Sequence, residues 1–389
     1  MNFLRAASLV SKYPVSSGRL SVLLTLCVLT ACQSGPGGRA IFQRIEIENK
    51  VAPGARVELI DVGGSTATDI ILMNQRPGRL HWYENPSWQS QQIPVVADQF
   101  YGVAAVPRRQ RGEVADLAVS GSFSQPGSGT RQQLVSLHNP GRDALNQAWI
   151  VSVIKADITP GLLFVADMSG TGQALLGSLP DIEVHSRVHS RSQWVSLPLL
   201  DNPPPNSRIR VYDWDLNGRD DLLVMSERGL DIVALASRGR FVDEFRLFVT
   251  EPGQGFLDVA VGQSERPPRR FIAAISEDGE RLQVFRPDPE RVRQWTARTL
   301  SGPLNGGRVL RVADLNQDGY DELIVGGDAG LAVYYYDSEE TAWRRYQIDS
   351  HPVADIAIAD LSGNGFPDLV TTPAETGAVK LFQNRGRSN

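Results

Sequence analysis

The chain has 389 residues, 39 of them basic and 44 acidic, for a net charge of −5. A mildly acidic chain with no long apolar span is a poor candidate for nucleic acid or for a transmembrane helix. With 41% hydrophobic residues, 36 Gly and 24 Pro, it can bury a core and is rich in the residues that end short strands. Length alone favours two or three domains.

The first segment reads as a leader. Arg5, Lys12 and Arg19 precede an apolar run from Leu20 to Ala31 that is too short to span a bilayer. The run ends Leu29-Thr30-Ala31-Cys32, which resembles the bacterial lipoprotein cleavage box, and Cys32 is then the lipidated residue. The alternative is an ordinary secretory signal with an incidental Cys. Gln33, rather than Asp, follows the Cys, and the resemblance then implies sorting to the outer membrane. Cys27 and Cys32 are the chain's two cysteines, so a mature chain holds one, acylated, and no disulfide framework exists. The leader carries three bases and no acid, so the remainder has a net charge of −8. The expected division is residues 1–31 as signal peptide, 32–40 as a flexible tethered linker, and 41–389 as the folded domain.

From there the chain repeats itself about every 50 residues. Anchored on the first acid of a recurring loop, the units start at Asp61, Arg108, Asp167, Asp213, Gly262, Asp314 and Asp360, with Arg108 and Gly262 marking degraded copies. Before the loop comes an apolar strand such as Val57-Glu58-Leu59-Ile60 or Ile209-Arg210-Val211-Tyr212. A second strand follows it (Asp69-Ile70-Ile71-Leu72, Asp221-Leu222-Leu223-Val224), then a third (Arg79 to Pro86, Gln133 to Pro140, Leu331 to Tyr336). A fourth strand pairs an aromatic with an aliphatic five residues on: Trp88 and Ile93, Trp149 and Ile154, Trp194 and Leu199, Trp295 and Leu300, Trp343 and Ile348. The fourth unit substitutes Phe241 and Phe245. These tryptophans read as packing between units.

Seven units of this length, each of four strands, predict an all-β, seven-bladed β-propeller. The last unit lacks a strand, and Phe42 to Ile47 shows the missing aromatic–aliphatic spacing. The N-terminal strand is therefore expected to close the last blade, which removes two open sheet edges. One closed domain replaces the two or three suggested by length.

Asp314-Leu-Asn-Gln-Asp-Gly-Tyr-Asp-Glu-Leu-Ile-Val325, Asp360-Leu-Ser-Gly-Asn-Gly-Phe-Pro-Asp-Leu-Val370 and His81-Trp-Tyr-Glu-Asn-Pro86 resemble the FG-GAP/VCBS repeat family, the integrin-α-like propeller. The resemblance covers about residues 41–385. It implies the seven-bladed fold but no single function, because that repeat serves adhesion, carbohydrate-related and enzyme-appended roles.

Three loops keep an oxygen set suited to a hard cation such as calcium. Blade four offers Asp213, Asp215, Asn217, the carbonyl of Arg219 and Asp221. Blade six offers Asp314, Asn316, Asp318, the carbonyl of Tyr320 and Glu322. Blade seven offers Asp360, Ser362, Asn364, the carbonyl of Phe366 and Asp368. Gly218, Gly319 and Gly365 permit the sharp bend. These are not EF-hands, since the last acid falls at the ninth position rather than the twelfth. The same side chains can instead cap nearby amides as metal-free Asx turns. Calcium, if bound, is expected to stiffen hairpins.

No catalytic set emerges. The histidines are His81, His138, His185, His189 and His351. His185 and His189 lie four apart, but in a strand-and-turn context where they need not face each other. Basic clusters at Arg108-Arg109-Gln110-Arg111 and Arg269-Arg270 fall in the degraded loops, as solvated tips or as a cationic face for anionic glycan or lipid headgroups. The reading is a non-catalytic, lipid-anchored binding or scaffolding propeller of the bacterial envelope. It is expected to be monomeric, to bind no nucleic acid, and to have an envelope protein or glycan as partner. The alternatives are a carbohydrate-active or lyase-like enzyme, or an assembly factor of an outer-membrane complex.

Overall fold

A computed structural model describes residues 38–388, apart from 107–113, 126–128, 142–146, 160, 168–174, 179–182, 189–192, 200–207, 215–216, 227–228, 236–240, 249–254, 265–268, 288–294, 301 and 338–340. The leader, Cys32, the Arg108 cluster, His189 and Asp215 therefore lie outside the described residues. Every strand falls within one compact unit, Pro36–Asn389.

The first strand is β1 (Ala40–Val51). Blade one is β2 (Arg56–Ile60), β3 (Asp69–Asn74), β4 (Gly78–Glu84) and β5 (Gln89–Ala97). Blade two is β6 (Gln99–Val106), β7 (Asp116–Gln125), β8 (Gly129–His138) and β9 (Ile150–Ala156). Blade three is β10 (Leu163–Ala166), β11 (Leu175–Ser178), β12 (Glu183–Val188) and β13 (Gln193–Pro198). Blade four is β14 (Arg208–Tyr212), β15 (Asp221–Ser226), β16 (Gly229–Leu235) and β17 (Phe241–Phe248). Blade five is β18 (Phe256–Ser264), β19 (Arg269–Ser276), β20 (Leu282–Pro287) and β21 (Trp295–Thr299). Blade six is β22 (Gly307–Ala313), β23 (Glu322–Gly327), β24 (Gly330–Asp337) and β25 (Ala342–Asp349). Blade seven is β26 (Val353–Ala359), β27 (Asp368–Pro373) and β28 (Gly377–Arg387), with β1 as its fourth strand.

Each sheet is an antiparallel meander in strand order, and the seventh runs β1-β28-β27-β26. The ring is thus the seven-bladed propeller that the repeat predicts. β1 pairs with β28 from Ala40 opposite Arg387 to Val51 opposite Gly377, a longer strand than the aromatic spacing alone marked.

The second strands explain why the blades stack. β3, β15, β23 and β27 are buried almost throughout, because a middle strand of a blade faces a neighbour on both sides. Alternate residues therefore enter two different cores. Ile71 and Met73 pack towards blade two, while Ile70 and Leu72 pack towards blade seven. Seven hydrophobic clusters result, one at each junction between successive blades. The fourth-strand tryptophans all pack in these clusters: Trp149 in that of blades one and two, Trp194 in two and three, Trp295 in four and five, Trp343 in five and six, Trp88 in seven and one. Burial of these clusters, mostly aliphatic with the rings packed against them, contributes at about 25 cal/mol per Å² to holding blade to blade.

Candidate functional site

In blades one, six and seven, and in blade four apart from residues 215–216, the loop from first to second strand is described, and there the candidate ligand residues gather. Their oxygens bond the loop backbone. The first acid caps the turn. Asp213 accepts from the amides of Asn217 (3.1 Å) and Gly218 (2.9 Å), Asp314 from Asp318 (3.0 Å) and Gly319 (2.9 Å), and Asp360 from Asn364 (3.1 Å) and Gly365. Gly218, Gly319 and Gly365 have φ of 80°, 91° and 88°, the left-handed conformation that the bend requires. The middle residues continue the pattern. Asn217 accepts from the Arg219 amide, Asp318 from Tyr320 and Asn364 from Phe366, each at 2.9 Å.

The ninth-position acid is buried and fastens the loop from below. Asp221 accepts from the Trp214 amide (2.9 Å) and Glu322 from Leu315 (2.7 Å). Asp368 accepts from Leu361 and Ser362 (2.9 Å each) and from Asn384 (2.6 Å). Asp69 in blade one does the same with Val62, Gly63 and Asn85.

Around three of these acids lies a device that the sequence reading did not single out. Asn85, Asn139 and Asn384 each donate the backbone amide to the ninth acid of their own blade. Each side-chain amide donates to two carbonyls, one in its own loop and one in the loop of the preceding blade. Asn85 reaches Thr68 and Leu361, Asn139 reaches Ala115 and Val62, and Asn384 reaches Pro367 and Leu315, all at 2.8–3.1 Å. The latches join blades six to seven, seven to one and one to two, the arc containing the terminal strands. The signal was present in Glu84-Asn85-Pro86, His138-Asn139-Pro140 and Gln383-Asn384.

Elsewhere on the rim, the Asp220 amide donates to the Asp167 carbonyl (2.9 Å) and the Asp220 carboxylate accepts from the Asp167 amide (2.6 Å), joining blades three and four. Asp321 does the same with Gln263 (2.7 Å), joining five and six. In blade five Arg270 occupies the ninth position. Its guanidinium lies over Tyr212 (5.0 Å) and Trp214 (5.8 Å) of blade four, a cation–π contact in place of the acid–amide latch.

Blade six concentrates negative charge. Burial, then repulsion from Asp318, Asp314 and Asp321, pushes Glu322 up to about 9 against the Leu315 bond. Burial and Asp318 raise Asp314; burial, Asp314 and Asp318 raise Asp321. A cation there would relieve that repulsion, so blade six fits calcium in charge. Its geometry is less complete. The Asn316 side-chain amide donates to Asp318 and to the Gly38 carbonyl (3.0 Å each), and no group of three or more His, Cys, Asp or Glu is placed to hold a metal among the described residues. Blade seven brings two carboxylates, Asp360 and Asp368, the second already bonded to three amides. Ser362 Oγ stands 3.5 Å from Asp360, and the Asn364 side-chain amide turns to the Asn384 carbonyl (2.7 Å).

His185 is structural in its surroundings. Its Nε2 stands 2.9 Å from Ser178 Oγ and its Nδ1 2.7 Å from Ser196 Oγ, on the two strands that flank it. Burial pushes it down to about 4, so it is neutral near pH 7.

The seven first strands enclose a channel of about 850 Å³. Its wall is apolar along blades two and three, at Val103–Ala105 and Leu162–Val165, and charged along blades four to one. A relay of ion pairs runs along the charged half. Arg210 bonds Asp258, Arg311 joins Asp258 (3.2 Å) to Asp355 (3.0 Å), and both acids accept an amide from the next blade, Leu310 (2.9 Å) and Val57 (3.3 Å). Glu58 opens into the lumen beside this relay without an ion pair among the described residues. Enclosure by the ring, then Asp355, pushes it up to about 7 against Arg311, Arg56 and Arg210. Sequence pattern shows these residues on first strands but not that the ring brings them together.

The FG-GAP-like repeat family matches residues 314–371, from the loop of blade six to the second strand of blade seven. No curated protein matches the chain. Among solved structures the chain is similar to an Agrocybe aegerita lectin described as specifically recognising non-reducing terminal N-acetylglucosamine. The identity is 13%, covering 86% of this chain and 81% of that one, with a TM-score of 0.41. It is also similar to the V. cholerae biofilm matrix protein Bap1, at 10% identity over 89% of this chain and 92% of that one, with a TM-score of 0.46. Likeness at that level says nothing about a ligand. The chain is therefore a seven-bladed β-propeller that carries an FG-GAP-like repeat at residues 314–371.

Proposed function

We propose that the chain is a non-catalytic binding or scaffolding propeller of the bacterial cell envelope, lipid-anchored through Cys32, with calcium at the blade-six loop. The observation that carries the binding reading is the rim. Loop after loop is held by buried acid–amide bonds and fastened to the next blade, which gives a preorganised surface rather than a mobile one. The two serine contacts of His185 favour this over an enzyme built on that histidine. The Leu29-Thr30-Ala31-Cys32 stretch supports the anchor. To hold the cation with the Tyr320 carbonyl, the carboxylates of Asp314, Asp318 and Glu322 would have to turn from their present amide bonds, and the cation's contribution would be charge neutralisation and a stiffer hairpin. Asp213 to Asp221 and Asp360 to Asp368 are weaker candidates for the same role. The partner is an envelope protein or a glycan.

Two measurements test this. The fragment from Pro36 is melted in excess calcium and in chelator. Occupancy at about 100 times the dissociation constant adds roughly 2.7 kcal/mol per site, a rise of a few degrees. The rise should vanish in Asp314→Ala, and an identical melt in both solutions removes calcium from the account. In-cell crosslinking then identifies the partner. One stoichiometric protein supports scaffolding, glycan alone supports adhesion, and turnover of a substrate at a mutable site defeats the non-catalytic reading.

A further inference from the structure

Six large apolar side chains are exposed among the described residues: Ile41, Val96, Ile150, Val151, Val153 and Val195. All lie on outermost strands, and three share β9 of blade two, with 65%, 47% and 50% of their surface open. Among the described residues β9 pairs with β8 alone, so its other edge offers backbone donors and acceptors to another strand.

The sequence of that edge is self-complementary. Residues 150–154 read Ile-Val-Ser-Val-Ile in either direction. Two such strands, antiparallel about a two-fold axis at Ser152, bring Val151 opposite Val153 of a second copy; Ile154, opposite Ile150 in this register, is itself buried between blades two and three. Cross-strand β-branched pairs of this kind are favourable, and a two-fold contact needs a patch that matches itself. Charge agrees. No charged residue lies within 150–154, and the next, Lys155, is already held by Glu183 of blade three at 2.5 Å. Among the other outer strands, β25 carries Arg344 and Arg345, while β5 and β13 are uncharged but are interrupted or ended by Pro94 and Pro198.

We infer that β9 is a self-association edge. A second copy of the chain pairs antiparallel along it, and two blade-two sheets become one sheet of eight strands. One short strand pair covers far less than the roughly 1,200 Å² of a stable interface. Association is therefore weak and concentration-dependent. Dilute protein would be the monomeric propeller expected from the sequence.

Sedimentation of the fragment from Pro36 over a wide concentration range tests this. Wild type should pass from monomer to dimer on concentration. Val151→Lys with Val153→Lys should weaken the dimer by roughly tenfold, since two like-charge pairs then face each other across the axis. Val151→Glu with Val153→Lys should restore it, because the two-fold register sets residue 151 against 153. All these side chains are half exposed, so the melting temperature serves as the folding control. A chain that stays monomeric throughout overturns the proposal, even if a different extended segment proves to use this edge. So does a dimer indifferent to the paired lysines, or a Glu/Lys variant no tighter than the Lys/Lys one.

Discussion

Asn384→Ala is the sharpest probe of the rim latches. Asn384 is fully buried on β28. Its side-chain amide donates to Leu315 (2.8 Å) and Pro367 (3.1 Å), and its side-chain oxygen accepts from the Gly386 amide (3.0 Å). Alanine removes three bonds and leaves two carbonyls and one amide without these partners. At about 1 kcal/mol for each bond, the loss is about 3 kcal/mol, at the low end because buried groups left bare can cost up to about 3 each. The described domain has about 350 residues. At about 2.1 cal/mol/K per residue, its unfolding entropy near the midpoint is about 0.7 kcal/mol/K, so the melting temperature should fall by about 4 °C. Calorimetry on the fragment from Pro36 measures this, with urea unfolding as a second reading of the free energy. Asn85→Ala breaks the two equivalent carbonyl bonds one junction further on, so it should cost about 2 kcal/mol, a fall of about 3 °C. A fall below about 1 °C in both variants would refute the latch as an energetic device and leave the junctions to apolar packing alone.

Glu58→Gln tests the channel. Glu58 has an ordinary value of 4.5 and is pushed up to about 7 in the fold. Its contribution to stability is thus fully present below about 4.5 and is lost as pH rises through about 7. The variant should flatten the stability difference between about pH 5 and about pH 8 in urea unfolding, and an unchanged difference sinks the assignment. Lys380→Met tests the junction of blades six and seven. Lys380 Nζ lies 2.5 Å from Asp349, both buried, and with His351 it outweighs burial to hold Asp349 down to about 2. The single variant should cost about 3–5 kcal/mol by leaving a carboxylate without its ammonium. Lys380→Met with Asp349→Leu should recover much of that, and a double variant no more stable than the single would show that the loss is one of packing.

The ring was legible because its cause is periodic. Alternating apolar runs, a loop acid and an aromatic fourth strand recur along the chain, and the unmatched Phe42–Ile47 segment had one vacant place to fill. The loops were legible as turns, but their chemistry was ambiguous for a physical reason. An Asp oxygen that caps the Gly319 amide is the same oxygen that would ligate a cation, and spacing alone does not separate the two. Two of the asparagine latches were visible as Asn-Pro after a third strand, and the third as Asn384 at the same place in blade seven, yet their meaning depends on a carbonyl in the preceding blade. Asp258, Arg311 and Asp355 lie dozens of residues apart on three strands that read as apolar runs with stray charges. Their pairing exists only because the ring turns first strands towards a common axis. Lys380 and Asp349 meet for a similar reason, across a blade junction.

β1 has a consequence for the order in which the ring can be completed. It is the first strand to be made and, for the envelope protein proposed above, to be exported, and its partner β28 is the last. Six blades can zip locally as they emerge, each from a contiguous stretch, whereas β1 must wait, unpaired and with Ile41, Phe42 and Ile45 bare, until nearly the whole domain has been made. In the finished ring its start lies beside the end of β28, with the Ser388 amide on the Arg39 carbonyl at 2.8 Å. A chain rejoined there and opened between two other blades would contain the same seven sheets, but would draw every blade from neighbouring sequence and leave no strand waiting. Comparing the refolding yield of the two orders would show how much of this protein's route to the folded state is governed by one early, orphaned strand.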